Sequence, residues 1–335
     1  MSVLQLSWLF LITLLTNFGG INMVLVSGQC QSDQQSLLLQ MKSSLDLNSL
    51  GIAFFGKQST RNQKLWSQSN DCCTWSGVDC DEAGRVIGLD LSEESISAGI
   101  DNSSSLFSLK YLQSLNLAYN SFNGSQIPSG LGNLTNLTYL NVSNAGFAGQ
   151  IPIQVSGMTR PYPSFPCKTS VTLSDLSLFS LPMLQQLQLA NNKFGGPIPE
   201  FSNASYSALS TLDLTAIQRL GNLTRLELSY NNLTVNASSD SSFPSQVSRL
   251  RLASCKLRVI PDLKNQSKLS YLDLSDNQIY GEIPNWVWEI GNGNLVHLNL
   301  SHNLLASLQR PYNISDLTCM TVLDLHSNQL QGNIP

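Results

Sequence analysis

The three histidines of this sequence, His297, His302 and His326, fall close together near its C-terminal end, interspersed with Asp273, Asp276 and Asp324. Imidazoles and carboxylates in one neighbourhood are what a metal site or an acid/base pair is made from. Their spacing follows a repeat rather than a ligand pattern, so the expectation is a polar surface that carries histidines, with no metal ligands and no catalytic residues. No GxSxG, HExxH, phosphate-binding loop or kinase signature occurs, and the expected class is a non-enzyme without cofactors. Cysteines offer a second chemistry: Cys30, Cys72, Cys73 and Cys80 precede the repeats, while Cys167, Cys255 and Cys319 come later. Zinc is one reading of the first four, but two are adjacent and none is in CxxC spacing; oxidation to disulfides is the favoured one in a secreted chain.

The repeat that spaces these groups is LxxLxLxxN. It is clear at Leu112-Leu115-Leu117-Asn120, Leu184-Leu187-Leu189-Asn192, Leu223-Leu226-Leu228-Asn231, Leu269-Leu272-Leu274-Asn277, Leu295-Leu298-Leu300-Asn303 and Met320-Leu323-Leu325-Asn328. Weaker copies start at Val86, Leu137, Leu209 and Val247, placing ten central leucines at 89, 115, 140, 187, 212, 226, 250, 272, 298 and 323. The usual step is 22 to 26 residues. In each copy LxL is a short strand with its leucines inward and the residue between them outward. One inward leucine is worth about 1.5–3 kcal/mol once covered, and only a neighbouring coil covers it, so stability is shared along the array. The closing Asn, with one acceptor and two donors, suits the backbone groups left unpaired where the chain leaves the strand. Ala145, Ile217 and Cys255 replace it and are expected soft points.

A second signature follows the Asn: Gly149-Gln150-Ile151-Pro152, Gly196-Pro197-Ile198-Pro199, Gly281-Glu282-Ile283-Pro284 and Gly332-Asn333-Ile334-Pro335, with Gly124 to Pro128 one residue longer. Glycine permits the turn, Ile enters the core and Pro fixes φ. LxxLxLxxN followed by GxIP resembles the plant-type leucine-rich repeat over almost the whole mature length. The fold class expected is therefore an α/β solenoid, a superhelix with a parallel sheet on its concave face and a disulfide-bonded N-terminal cap. Asp33 to Leu45 has helical spacing, and with Trp66 and CCTWSGVDC at 72–80 it looks like the family's cap. That resemblance implies a Cys73–Cys80 bridge, leaving Cys30 to pair with Cys72, each worth roughly 2–4 kcal/mol.

With 335 residues and 42% hydrophobic composition the chain has ample material for a core, and 18 basic against 22 acidic side chains give no footprint for nucleic acid or for a polybasic membrane contact. Leu4 to Leu15 is too short to span a bilayer and reads as the core of a signal peptide over 1–28. The cap then occupies 29–84 and the repeats 85–335, irregular at 153–183 and 212–226 and incomplete at the C-terminus. A 14-residue step from 212 to 226 is too short for a full coil, so stacking is expected to be interrupted there, unless the 212–214 segment loops out and Leu226 stacks on Leu187. Twelve Asn-x-Ser/Thr sequons, at Asn102, Asn123, Asn133, Asn136, Asn141, Asn203, Asn222, Asn232, Asn236, Asn265, Asn299 and Asn313, favour extensive glycosylation, with Asn141 and Asn299 facing outward from the strands.

Outward residues after the second leucine form a column, Asn116, Asn141, Gln188, Asp213, Glu227, Arg251, Asp273, Asn299 and Asp324, flanked by Tyr119, Tyr139, Tyr230 and Tyr271. Ten strands would spread it over roughly 45 Å. Aromatic and Arg side chains anchor protein recognition, which makes Tyr230, Arg251 and Tyr271 the expected centre of a ligand-binding surface. The segments QCQSDQQSLLLQMKSSL, NDCCTWSGVDC, LNVSNAGFAGQIP and RLASCKLRVIPDLKNQSKLSYLDLSDNQIYGEIPNWVW resemble plant cell-surface receptor-like proteins of the verticillium wilt disease resistance group. The resemblance implies a defence-signalling ectodomain that recognises a protein or peptide ligand, microbial ones included, and works with partner receptor kinases, here without its membrane anchor. A secreted enzyme inhibitor resembling polygalacturonase-inhibiting proteins, or a nonfunctional truncated product, is the alternative.

Overall fold

The computed structural model describes residues 28–47, 66–149, 151, 181–195, 211–213, 217, 220–236, 243–309 and 319–331. The signal-peptide reading, most of the irregular 153–183 stretch, Cys167, Asn203 and Asn313 lie outside them. One ten-stranded sheet runs the length of the molecule. Nine strands are parallel and centred on Leu89, Leu115, Leu140, Leu187, Leu226, Leu250, Leu272, Leu298 and Leu323; each central leucine faces the next in register. The first eight are at most 1% exposed, as expected when coils on both sides cover them, whereas Leu323 in the last strand of the sheet is 43% exposed. This is a leucine-rich-repeat solenoid.

Two of the sequence expectations change. Thr211–Asp213 is not in the main sheet: it pairs with Thr234–Asn236 in a separate two-stranded sheet, and Arg225–Glu227 pairs directly with Gln186–Gln188. The array therefore has nine parallel strands rather than ten, and the sheet is not interrupted at 212–226. The reason is the residue count: a strand too close in sequence to the next cannot occupy its own coil, so it moves out to the flank. At the other irregularity Tyr139–Asn141 pairs directly with Gln186–Gln188. Ile217, buried, and Asp213 accordingly leave the ladder and the outward column to which their spacing assigned them.

The Asn ladder joins coils as well as closing them. Nδ2 of Asn192 donates to Leu189 O in its own coil (3.0 Å) and to Val142 O in the preceding one (2.8 Å), while its Oδ1 accepts from Ala145 N and Phe147 N. Asn120, Asn231, Asn277, Asn303 and Asn328 likewise donate back to Leu91, Leu189, Leu252, Leu274 and Leu300. Where Ala145 stands in the ladder, its own carbonyl takes the Phe122 N–H instead (2.8 Å). Cys255 reaches Leu228 O and Ala253 O through its thiol at 3.8 and 3.5 Å, weak versions of the bonds an amide would make. Behind the ladder, Phe122, Phe147 and Phe194 stack at centroid distances of 4.4 and 6.5 Å, an aromatic spine two residues past the ladder position. Gly149 and Gly281 of the GxIP turns have φ of +76° and +92°, which side chains disfavour.

At the N-terminal end a helix, Ser32–Ser44, lies across the first coil with Leu38 and Met41 buried. Cys30–Cys72 and Cys73–Cys80 are disulfides, each with Cα atoms 5.5 Å apart, so the zinc reading of these cysteines falls. Asp71 Oδ1 accepts from both Cys30 N and Cys73 N, tying the two bridges to one carboxylate, and Trp66 stacks on Trp75 at 5.2 Å. The strand Val78–Cys80 then pairs antiparallel with Val86–Asp90 and covers that edge of the parallel sheet.

Candidate functional surface

The outward column on the concave face reads, in register, Asn116, Asn141, Gln188, Glu227, Arg251, Asp273, Asn299 and Asp324. All five of its Asn and Asp residues have a structural task that spacing alone did not disclose. Oδ1 of Asn116, Asn141, Asp273, Asn299 and Asp324 accepts the N–H two residues on, closing the turn that ends the strand. Gln188, Glu227 and Arg251 are too long for that role, so the three adjacent strands that carry them present outward chemistry of another kind.

Arg251 stands between carboxylates of the strands on either side, Nη1 at 3.8 Å from Glu227 Oε2 and Nε at 3.5 Å from Asp273 Oδ2. Beside it the guanidinium of Arg249 lies over the Tyr271 ring at 4.4 Å, and that of Arg251 is 5.9 Å from the same ring. The far face of Tyr271 stacks flat on His297, with centroids 4.1 Å apart and planes 3° from parallel. Burial holds the His297 imidazole below its usual pKa, with Asp273 pulling the other way. One strand position outward, Tyr230 donates to Asp276 Oδ2 at 2.9 Å; burial first, then that carboxylate, raises the phenol pKa. Thus Tyr230, Arg251 and Tyr271 lie on neighbouring strands of the concave face, Tyr230 held by Asp276, and Arg251 held by Asp273 and beside the Tyr271 ring, forming a charged, aromatic strip.

Tyr230 belongs to a further row that the sequence reading did not separate out. The residue before each ladder position, Tyr119, Asn144, Asn191, Tyr230, Ser254, Asp276, His302 and Ser327, has φ between +53° and +57°. The left-handed backbone turns these side chains to the rim of the face; it favours Asn, Asp and His among the larger side chains, which makes the two tyrosines the exceptions. The signal was available as the position preceding each ladder Asn. His302 and His326 do meet, Nε2 to Nε2 at 2.8 Å, whereas His297 is engaged with Tyr271.

Of the sequons, Asn102, Asn123, Asn133, Asn136, Asn222, Asn232 and Asn265 are exposed, and Asn141 and Asn299 are half-buried on the concave strands. Asn236 lies in the small flanking sheet. Nδ2 of Asn136 and Asn222, the atom a glycan would join, donates to Lys110 O and Pro182 O of the preceding coil, both at 2.8 Å.

The leucine-rich-repeat family pattern matches residues 111–134, 183–204 and 268–290. Receptor like protein 27 of Arabidopsis thaliana is 30% identical over 91% of this chain and 43% of its own length. The chain is similar to plant leucine-rich-repeat receptor-like proteins. It spans less than half the length of the curated relatives it matches. Among solved structures, a plant ice-binding protein aligns with a TM-score of 0.56 at 22% identity, covering 92% of this chain and 90% of its own. The Arabidopsis receptor kinase HAESA ectodomain, in complex with a peptide hormone, aligns at 0.54 and 24%, covering 89% of this chain and 49% of its own. At those identities both attest the solenoid fold. No helix among the described residues is long and apolar enough to cross a membrane.

Proposed function

We propose that this chain is the extracellular ligand-recognition region of a plant cell-surface receptor-like protein in defence signalling, resembling the verticillium wilt disease resistance group. Its concave face binds a protein or peptide ligand, and receptor kinases are the partners that carry the signal. The observation that carries this reading is the Arg249–Tyr271–His297 stack with Arg251 and Tyr230 beside it, an aromatic and guanidinium strip of the kind that anchors protein recognition. The relatives named receptor-like proteins support the cell-surface setting, and the HAESA ectodomain, solved with a peptide hormone, supports a peptide as the ligand class.

The test is a receptor assay in leaf tissue carrying this region on its membrane-anchored parent, challenged with apoplastic fluid from infected plants. Wild type is expected to give an oxidative burst, and Tyr230→Ala, Arg251→Ala and Tyr271→Ala to lose it at equal surface abundance. An undiminished burst in the triple variant rejects the location. Inhibition of a fungal polygalacturonase by the isolated chain would reject the receptor reading in favour of the inhibitor.

A further inference from the structure

We propose that His302 and His326 form a surface site for one divalent transition-metal ion of the zinc, nickel and copper type, distinct from the ligand-binding strip. The two Nε2 atoms stand 2.8 Å apart, with the rings nearly perpendicular at 82°. On the other side of its ring, His326 Nδ1 is 2.6 Å from Asp324 Oδ1. An ionised carboxylate only accepts, so Nδ1 of His326 carries the proton, and in the neutral ring Nε2 presents its lone pair toward His302. A carboxylate behind one imidazole nitrogen with the opposite nitrogen free to ligate is the arrangement that orients metal-binding histidines and raises their basicity.

The pairing is set by the backbone. Two exposed imidazoles gain little from an N–H···N bond that water can replace on both sides. His302 sits at φ +53° with its N–H donated to His326 O at 3.0 Å, and His326 N–H is held by Asp324 Oδ1 at 3.1 Å. Asn303, directly after His302, and Asn328, two residues after His326, are ladder asparagines that fix each coil to the one before it. Two nitrogens bound at about 2.0–2.1 Å to one tetrahedral ion lie about 3.3 Å apart, so a half-ångström opening of the pair by side-chain rotation admits the ion once the Nε2 proton of His302 has passed through water to its own Nδ1, freeing the second lone pair. Imidazole donors suit zinc, copper and nickel, whereas magnesium and calcium require oxygen cages. Two protein ligands leave coordination positions open to water or to a donor from a bound partner.

The probe is zinc, titrated calorimetrically into the full secreted chain with Cys319, an exposed thiol, alkylated beforehand. The expected result is one equivalent bound, no response to magnesium or calcium, and loss of binding in His302→Gln and in His326→Gln at unchanged Tm. Asp324→Asn, which keeps an acceptor but removes the charge, should weaken zinc by about tenfold. His297→Gln should leave it unchanged. Absence of zinc binding by the wild type, wild-type binding by either the His302 or the His326 variant, or loss of binding in His297→Gln overturns the proposal.

Discussion

Leu226 lies opposite Leu187 in the sheet, while Leu212, which comes between them in sequence, pairs with Val235 on the flank. The bonds across this junction are of ordinary length: Thr224 N to Gln185 O at 2.8 Å, Leu189 N to Glu227 O at 2.8 Å and Asn231 Nδ2 to Leu189 O at 3.0 Å. Stability is passed along a solenoid through such neighbour contacts, so the two sides of the junction should open together. Hydrogen exchange is expected to show Leu189, Thr224 and Leu228 amides protected to the same level as Leu252, with Leu212 exchanging earlier. A step in protection between Leu189 and Leu228 would mean that the coils melt as separate units.

The ladder position should be most sensitive where it serves two coils. Asn192→Ala strands the carbonyl of Val142 and the N–H groups of Ala145 and Phe147 inside the solenoid, while the Leu189 carbonyl keeps its bond from Asn231. Each unsatisfied buried group costs about 1–3 kcal/mol, and relaxation relieves some of them, giving an expected loss of about 3 kcal/mol. Asn328→Ala, at a part-buried site near the last strand, should cost about 1 kcal/mol. Urea unfolding of the two variants compares them directly; equal losses would show that the ladder bonds are not coupled to burial.

Much of this architecture is written in residue types. Leu at three fixed places and Asn at a fourth give strand, core and ladder, because each depends on local spacing, whereas the Cys73–Cys80 bridge was implied by the resemblance to the family's cap. What spacing could not settle was which copies stack. Thr211–Asp213 has the strand pattern yet leaves the sheet, since a coil needs chain length as well as motif. The candidate surface was partly legible too. Tyr230, Arg251 and Tyr271 do gather on one face, but their partners Asp276, Glu227 and Arg249 are chosen by side-chain reach across coils. The meeting of His302 and His326 comes from two different columns, one in a left-handed turn, and no alternation rule predicts it.

Cys255 links core packing to chemistry. Burial pushes its thiol pKa up to about 12, with Asp273 adding to the shift. A folded pKa above the unfolded value of 9.0 means a contribution to stability that is complete below pH 9 and is lost as pH rises toward 12, by up to about 1.4 kcal/mol per unit. Cys255→Ser should flatten the alkaline arm of the stability profile between those values. With a thiol reagent at pH 8, peptide mapping should place label on exposed Cys319 and none on Cys255 until denaturant is added. Labelling of native Cys255 would contradict the packed ladder position.

His297 sets the acid side. Its pKa is lowered chiefly by burial against Tyr271, with Arg251 and Arg249 adding to the effect and Asp273 and Asp324 opposing it. The fold therefore prefers the neutral ring, and the sign follows: stability is fully present above the unfolded value of 6.5 and falls as pH drops through the lower folded value. Protonation would put a third cation beside the two guanidiniums already gathered at one aromatic ring. His297→Gln, neutral at every pH, should remove part of the decline in Tm between pH 6.5 and pH 5, a window in which the depressed Asp324 carboxylate stays ionised. In the wild type, the NMR titration of the His297 ring should have its midpoint below 6.5. An unaltered acid profile in His297→Gln, or a midpoint above 6.5, would show that the carboxylates rather than burial govern this ring.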